Sequence, residues 1–185
     1  MTILLMGHPN VGKSALFNRL TGANITESNY PGTTVDFTEG YLLVEGKECK
    51  VIDVPGTFST EPKDEAERVA LDMLEEHKGA IVVAVLDATK VERGLYLAFE
   101  ILERDYPLIL ALNMWDDAKK ENIKIDVERL EEILEVPVVP TVARSGQGIS
   151  ELVERIPQAS RVDPGKLKER IEESGKKSRG TKHAV

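Results

Sequence analysis

Eight residues near the N-terminus carry the clearest chemistry. Gly7-His8-Pro9-Asn10-Val11-Gly12-Lys13-Ser14 has the pattern G-x-x-x-x-G-K-[ST]. Glycines let such a loop wrap round a phosphate. Successive N–H groups and the N-terminus of the following helix then point at the anion. Gly7, Val11, Gly12 and Ala15 belong to this phosphate-facing stretch. Lys13 is placed to reach the β- and γ-phosphates, and the Ser14 hydroxyl to ligate Mg²⁺. A second segment, Asp53-Val54-Pro55-Gly56, reads D-x-x-G. An aspartate at the carboxyl end of a strand can hold Mg²⁺ through water, and Gly56 can offer its amide to a γ-phosphate with no Cβ in the way. Together these segments predict a nucleoside triphosphate site.

Two further segments choose the base. Asn113-Met114-Trp115-Asp116 contains N-x-x-D. The Asp116 carboxylate can accept both N1–H and the 2-amino group of guanine, a pair that adenine does not offer, and a polar site of this kind rejects the wrong base strongly. Val142-Ala143-Arg144 follows the next apolar run, where the Ala143 N–H is expected to donate to guanine O6. The ligands read from the sequence are therefore GTP and GDP.

These segments need a scaffold. Apolar runs at 3–6, 51–53, 81–86, 108–112 and 138–140 read as buried strands, and amphipathic stretches at 14–20, 65–76, 95–104, 127–134 and 149–156 as helices. The alternation predicts a parallel sheet covered on both faces. Gly46-Lys47, between 41–45 and 48–51, predicts a hairpin and one antiparallel strand. The expected fold is an α/β P-loop NTPase of Ras-like, three-layer form with a mostly parallel six-stranded sheet. Asp64 to Glu67 has capping-box spacing, and Asp126 can cap the helix beginning at Val127. The stretches 24–37 and 54–63 read as long functional loops.

Composition sets the limits. The 185 residues carry 24 basic and 32 acidic side chains, a net charge of −8. Residues 161–185 hold 8 of the basic and 4 of the acidic ones, which leaves an acidic body. Such a body argues against nucleic-acid binding through phosphates. The single Cys49 excludes an internal disulfide, and no apolar run is long enough for a membrane helix. The division expected is a GTP-binding domain over 1–160 and a basic tail over 161–185, with a short helix at 166–171 and disorder from 176.

Four segments together resemble the G domain of the ferrous-iron transport protein B family, one of the translation-factor-related GTPases. They are the P-loop, Asn29-Tyr30-Pro31-Gly32-Thr33-Thr34-Val35, Asp53-Val54-Pro55-Gly56-Thr57-Phe58-Ser59, and Asp87-Ala88-Thr89-Lys90-Val91-Glu92-Arg93-Gly94-Leu95-Tyr96-Leu97. The family typically shows N-[WY]-P-G-x-T-V, D-x-P-G-x-[YF]-S, N-M-x-D and D-A-x-x-x-E-R-x-L-Y-L. The last two are not general GTPase motifs. The resemblance covers residues 1–157.

The resemblance implies that 24–37 is switch I, with Thr34 completing Mg²⁺ coordination, and that 54–63 is switch II. It gives catalytic roles to Asn10, Lys13, Thr34 and Gly56, Mg²⁺ ligation to Ser14, Thr34 and Asp53, and K⁺ binding to Asn10. A K⁺ ion there would stabilise transition-state charge as an arginine finger does; the alternative is that Asn10 only shapes the loop. Thr57 stands where Ras-like proteins carry the water-orienting glutamine, so hydrolysis should be slow. Met114 replaces a lysine and Val142 a serine of the usual base-binding motifs. Trp115 is read as packing, and His8 as facing either a phosphate or solvent. The implied role is a GTPase switch at the cytoplasmic face of the membrane, coupled to ferrous-iron transport through a membrane domain, with homo-oligomerisation left open. The alternatives are a ribosome-assembly or tRNA-modification GTPase and a GTP-sensing module with negligible turnover.

Overall fold

A computed structural model of the chain describes residues 1–22 and 25–180. Seven strands are present: β1 (Thr2–Gly7), β2 (Ile25–Asn29), β3 (Asp36–Val44), β4 (Lys47–Asp53), β5 (Ile81–Asp87), β6 (Leu108–Asn113) and β7 (Val138–Pro140). They form one sheet in the order β2-β3-β4-β1-β5-β6-β7. From β4 to β7 all neighbours are parallel, and β3 runs antiparallel to both β2 and β4.

Strand residues alternate between two apolar layers. Leu4, Met6, Val82, Ala84 and Leu86 pack on one side, with α2 (Glu65–Glu76), α3 (Val91–Glu103), α4 (Trp115–Lys120), α5 (Val127–Leu134) and α7 (Pro164–Gly180). Ile3, Leu5, Val83 and Val85 face the other way, onto α1 (Lys13–Thr21) and α6 (Ile149–Arg155). Both faces are thus buried, which explains why β1 and β5 read as continuous apolar runs. The sheet brings the carboxyl ends of β1, β4, β5 and β6 to one edge, where the P-loop, the D-x-x-G segment and N-x-x-D emerge.

The expected helix starts are seen. Asp64 Oδ1 accepts the Glu67 N–H at 2.8 Å, and Asp126 Oδ1 accepts the Arg129 N–H at 2.9 Å. The capping box is only half made, because the Glu67 carboxylate turns away to the preceding loop. The hairpin turn falls one residue earlier than expected: Glu45 (φ 49°) and Gly46 (φ 73°) are both left-handed, as a type I′ turn requires.

The sheet has seven strands and not six. The additional one, β2, lies inside the stretch expected to be loop. Its sequence Ile-Thr-Glu-Ser-Asn has no apolar alternation, and four of its five residues are exposed. It is an edge strand held by main-chain pairing to β3, from Ile25 opposite Gly40 to Asn29 opposite Asp36; side chains that pack on nothing leave no pattern to read. Residue 24, the start of the expected switch I, lies outside the described residues.

At the C-terminus the helix is longer than the expected 166–171. Asp163 Oδ1 accepts the Gly165 and Lys166 N–H groups, Pro164 occupies the first helical position, and Leu167 is buried against the core. The helix runs through 176–180, where disorder was expected. Residues 181–185 lie outside the described residues.

Candidate nucleotide site

β1 delivers Gly7, and the chain then turns through Asn10 (φ 68°) and Gly12 (φ 83°) before α1 begins at Lys13. Asparagine tolerates this left-handed conformation better than most side chains. At Gly12 a Cβ would lie 2.3 Å from Asn113 Nδ2, so only glycine fits. At Gly56 a Cβ would lie 3.1 Å from Pro9, so the D-x-x-G segment is pressed against the P-loop. Backbone bonds hold it there: the Thr57 N–H donates to Gly7 O at 3.1 Å, and the Val54 N–H to Leu5 O at 3.2 Å.

Lys13 Nζ is ion-paired with Asp53 Oδ1, and both side chains are largely buried. Lys13, Ser14, Asp53 and Gly56 line one cavity of about 630 Å³, completed by β2, the start of β3, Val54 and Pro55. A hydroxyl and a carboxylate there are hard oxygen donors, which suit Mg²⁺. The upper cradle is formed by His8, Pro9, Asn10, Gly12 and Ala15 together with Lys13, Ser14 and Gly56. Thr34 is not among these residues. It is exposed, while Thr33 locks the turn: its Oγ1 donates to Tyr30 O at 3.0 Å and accepts the Val35 N–H at 3.1 Å. Thr34 thus lines neither the cavity of Ser14 and Asp53 nor the cradle above it.

Asn113 is the hub of the base side. It is buried; its Nδ2 donates to Val11 O at 2.9 Å, and its Oδ1 accepts the Ala143 N–H at 2.9 Å and the Thr141 hydroxyl at 3.3 Å. The Ala143 amide, expected to donate to guanine O6, is therefore already engaged by Asn113. Arg19 of α1 straps the same loop, donating from Nε to Ala143 O (3.0 Å) and from Nη2 to Arg144 O (2.5 Å). Val142 is buried and Arg144 exposed. Met114 (φ 60°) turns the chain into α4. Asp116 is half-exposed, with Oδ2 at 3.2 Å from Lys120 Nζ. Partial burial pushes its carboxyl up, but the Lys120 hydrogen bond and charge and the N–H groups of Asp116 and Asp117 outweigh this and hold it below the usual range. Trp115 packs against the core, as expected.

The scan of family models matches residues 1–156 to ferrous iron transport protein B. The chain belongs to this family. The Fe(2+) transporter FeoB of Helicobacter pylori is 43% identical over 145 residues, which is 78% of this chain and 23% of that protein. The chain spans less than a quarter of the length of such curated relatives. Among solved structures, the G domain of the T. maritima FeoB iron transporter matches with a TM-score of 0.80 at 40% identity, covering 86% of this chain and 98% of that one. The cytosolic domain of the same transporter in its GMPPNP form matches with a TM-score of 0.80 at 41% identity, covering 85% and 63%. The fold is accordingly that of FeoB G domains.

The FeoB-type segment from Asp87 to Leu97 forms the end of β5, a short 3₁₀ turn and the start of α3. Asp87 Oδ1 caps that turn, accepting from the Thr89 N–H at 2.8 Å and its hydroxyl at 2.7 Å. Arg93 lies 5.7 Å from the centre of the Phe58 ring, which is tilted against His8 at 4.9 Å. Burial lowers the His8 pKa; a backbone hydrogen bond at Phe58 raises it in part, and the Arg93 charge lowers it further. His8 is buried, and among the described residues its Nε2 has no hydrogen-bond partner.

Several residues of the expected switch loops gain partners that the sequence did not reveal. Thr57 is buried, and its Oγ1 donates to Ser59 O at 2.6 Å, so it is turned into its own loop. Glu67 Oε1 accepts the Phe58 N–H at 3.2 Å and its Oε2 the Lys63 N–H at 2.8 Å. Glu100 of α3 accepts the Ser59 hydroxyl at 3.1 Å and the Thr60 N–H at 2.6 Å. Two carboxylates from two helices therefore hold the loop 57–63. Tyr30 Oη donates to Glu76 Oε1 at 2.6 Å, a bond that pushes the Tyr30 phenol up to about 12. Capping-box spacing marks Glu67 in sequence but not its bonds to the loop, and Glu100 looks like solvated helix surface. Arg19, likewise, is one exposed cation at the end of an ordinary helix.

Proposed function

We propose that the chain binds GTP, hydrolyses it slowly and so acts as the regulatory switch of a ferrous-iron transporter. The observation that supports this most is Asn113, which ties the Val11 carbonyl of the phosphate loop to the Ala143 amide of the base loop. One buried side chain thus joins triphosphate recognition to guanine recognition.

In this reading the P-loop amides and Lys13 bind the β- and γ-phosphates, and Lys13 exchanges Asp53 for the nucleotide. Ser14 and Asp53, with Thr34 of the expected switch I, would hold Mg²⁺, which would neutralise developing phosphate charge. Asn10, on its left-handed turn, would hold K⁺. Gly56 presents its amide to the γ-phosphate. A bond forms between the water oxygen and γ-phosphorus as the bond to the β–γ bridging oxygen breaks, and the electron pair leaves with GDP. No general base is assigned, so positioning and electrostatics carry the rate and turnover is slow. Asp116 selects guanine.

The nucleotide state is read by a membrane transport domain, with this domain at the cytoplasmic face. Residues 1–160 form the switch and 161–185 an appended basic tail; homo-oligomerisation belongs to the same open set of assembly states. GTP turnover by the purified chain in KCl and NaCl, with ATP as control, tests the proposal. GTP-selective, K⁺-stimulated turnover is expected; equal use of ATP, or no nucleotide binding, overturns it. A second reading, a GTP-sensing module with negligible turnover, is favoured by the Thr57 hydroxyl being committed to Ser59. Binding without turnover in either salt would select it.

A further inference from the structure

A second cavity, of about 270 Å³, is walled by His8, Asn10, Phe58, Asp87, Lys90 and Arg93, with Pro9 also on its lining. It shares His8, Pro9 and Asn10 with the phosphate cradle but none of Lys13, Ser14 or Asp53. The two cavities therefore adjoin along the phosphate loop.

The lining is charged for an anion. Lys90 and Arg93 are exposed, and among the described residues neither makes an ion pair; Arg93 lies over the Phe58 ring. The one carboxylate, Asp87, opposes them, but its Oδ1 already accepts two hydrogen bonds from Thr89. Below these cations lies His8, 8% exposed, whose Nε2 has no hydrogen-bond partner. A buried ring nitrogen left unmatched is costly and calls for an explanation. Its ring is tilted against Phe58, itself 47% exposed, and both side chains line the cavity. An imidazole Nε2 acting as acceptor needs a donor. Monohydrogen phosphate offers one, a P–OH, beside oxygens for Lys90 and Arg93; sulfate at neutral pH offers only acceptors.

We propose that this cavity is a binding station for inorganic phosphate, placed to draw the cleaved γ-phosphate away from GDP. The proposal rests on the GTPase reading above, and the test separates the two. The full chain is loaded with GMPPNP and Mg²⁺, so that the γ position is filled, and loading is read from the nucleotide's own ³¹P resonances. Added inorganic phosphate is then followed by ³¹P line width. Broadening with a millimolar dissociation constant is expected, weakened about fivefold or more in Lys90→Gln/Arg93→Gln and resisted poorly by sulfate as competitor. Broadening that appears with GDP but not with GMPPNP places phosphate only in the γ position and overturns the station. Equal broadening in the double variant also overturns it. Failure to load GMPPNP at all sinks the GTPase reading and the station with it.

The source of the phosphate is separated by hydrolysis in ¹⁸O-water. If the station takes the reaction's own product, released phosphate carries about one ¹⁸O in the unmodified chain, and more in the double variant, where phosphate lingers beside GDP and the cleavage reverses. Equal incorporation, with the line-width result intact, assigns the station to phosphate from the medium.

Discussion

Lys13 Nζ and Asp53 Oδ1 form a largely buried ion pair between the residue assigned to the phosphates and the residue assigned to Mg²⁺. The two groups neutralise each other. In the proposed reading a nucleotide with its cation would replace both halves of the pair, giving Lys13 a phosphate and Asp53 a metal-bound water. Breaking one half alone would strand a buried charge.

That relationship makes Asp53→Asn informative. Mg²⁺ is expected to tighten GTP binding by about tenfold or more in the unmodified chain and by less than about twofold in the variant. Fluorescent-nucleotide titrations with Mg²⁺ and with EDTA measure this. An undiminished Mg²⁺ effect would remove Asp53 from the metal site.

Asn10→Ala keeps the loop's donors but loses the amide oxygen. GTP binding should stay nearly unchanged, while the hydrolysis rates in KCl and NaCl become equal. If the variant still responds to K⁺, Asn10 serves only to shape the turn.

Asp116→Asn exchanges a carboxylate for an amide that has one acceptor oxygen. GTP affinity should fall by about 2–4 kcal/mol, as for lost charged hydrogen bonds, and xanthosine nucleotides should gain what guanosine nucleotides lose. Unchanged base preference in competition titrations would place guanine elsewhere.

Glu67→Ala leaves the Phe58 and Lys63 N–H groups without their shared acceptor. The expected loss is about 2–4 kcal/mol of stability by urea denaturation, at the upper end for a single substitution. A loss below about 0.5 kcal/mol would mean that the loop finds other partners.

The Tyr30–Glu76 bond raises the phenol from its usual 10 to about 12 in the folded chain. A pKa raised on folding contributes stability that is complete below pH 10 and is lost as pH climbs toward 12. Thermal melts at pH 9 and pH 11 should therefore show a smaller alkaline drop in Tyr30→Phe than in the unmodified chain. Equal drops would show that the bond contributes nothing to alkaline stability.

Much of this was legible in sequence, for an identifiable reason. β1 and β5 are buried on both faces and so could not hide, and Asp64 and Asp126 announce their helices through local bonds. Gly12 and Asn113 each stood out by motif, but their mutual contact did not, because it joins positions a hundred residues apart through a side-chain nitrogen. β2 escaped because main-chain pairing at a solvated edge imposes no side-chain pattern. Glu67 and Glu100 escaped because an acidic residue that accepts loop amides is spelled the same as one that faces water. The bonding of Thr33 to its turn could not be read either, since motif spacing says nothing about which of two adjacent threonines a turn will bind.

The Asn113 bonds have a consequence for how nucleotide leaves. The Val11 carbonyl and the Ala143 amide hang from one buried side chain, and Arg19 fastens the same base loop to the helix that follows the phosphate loop. Loosening either loop deprives the other of its anchor. In the proposed reading, escape of the guanine and relaxation of the phosphate cradle would then be coupled in one opening. A partner that pulled on residues 141–144 would unlatch the triphosphate pocket without touching it.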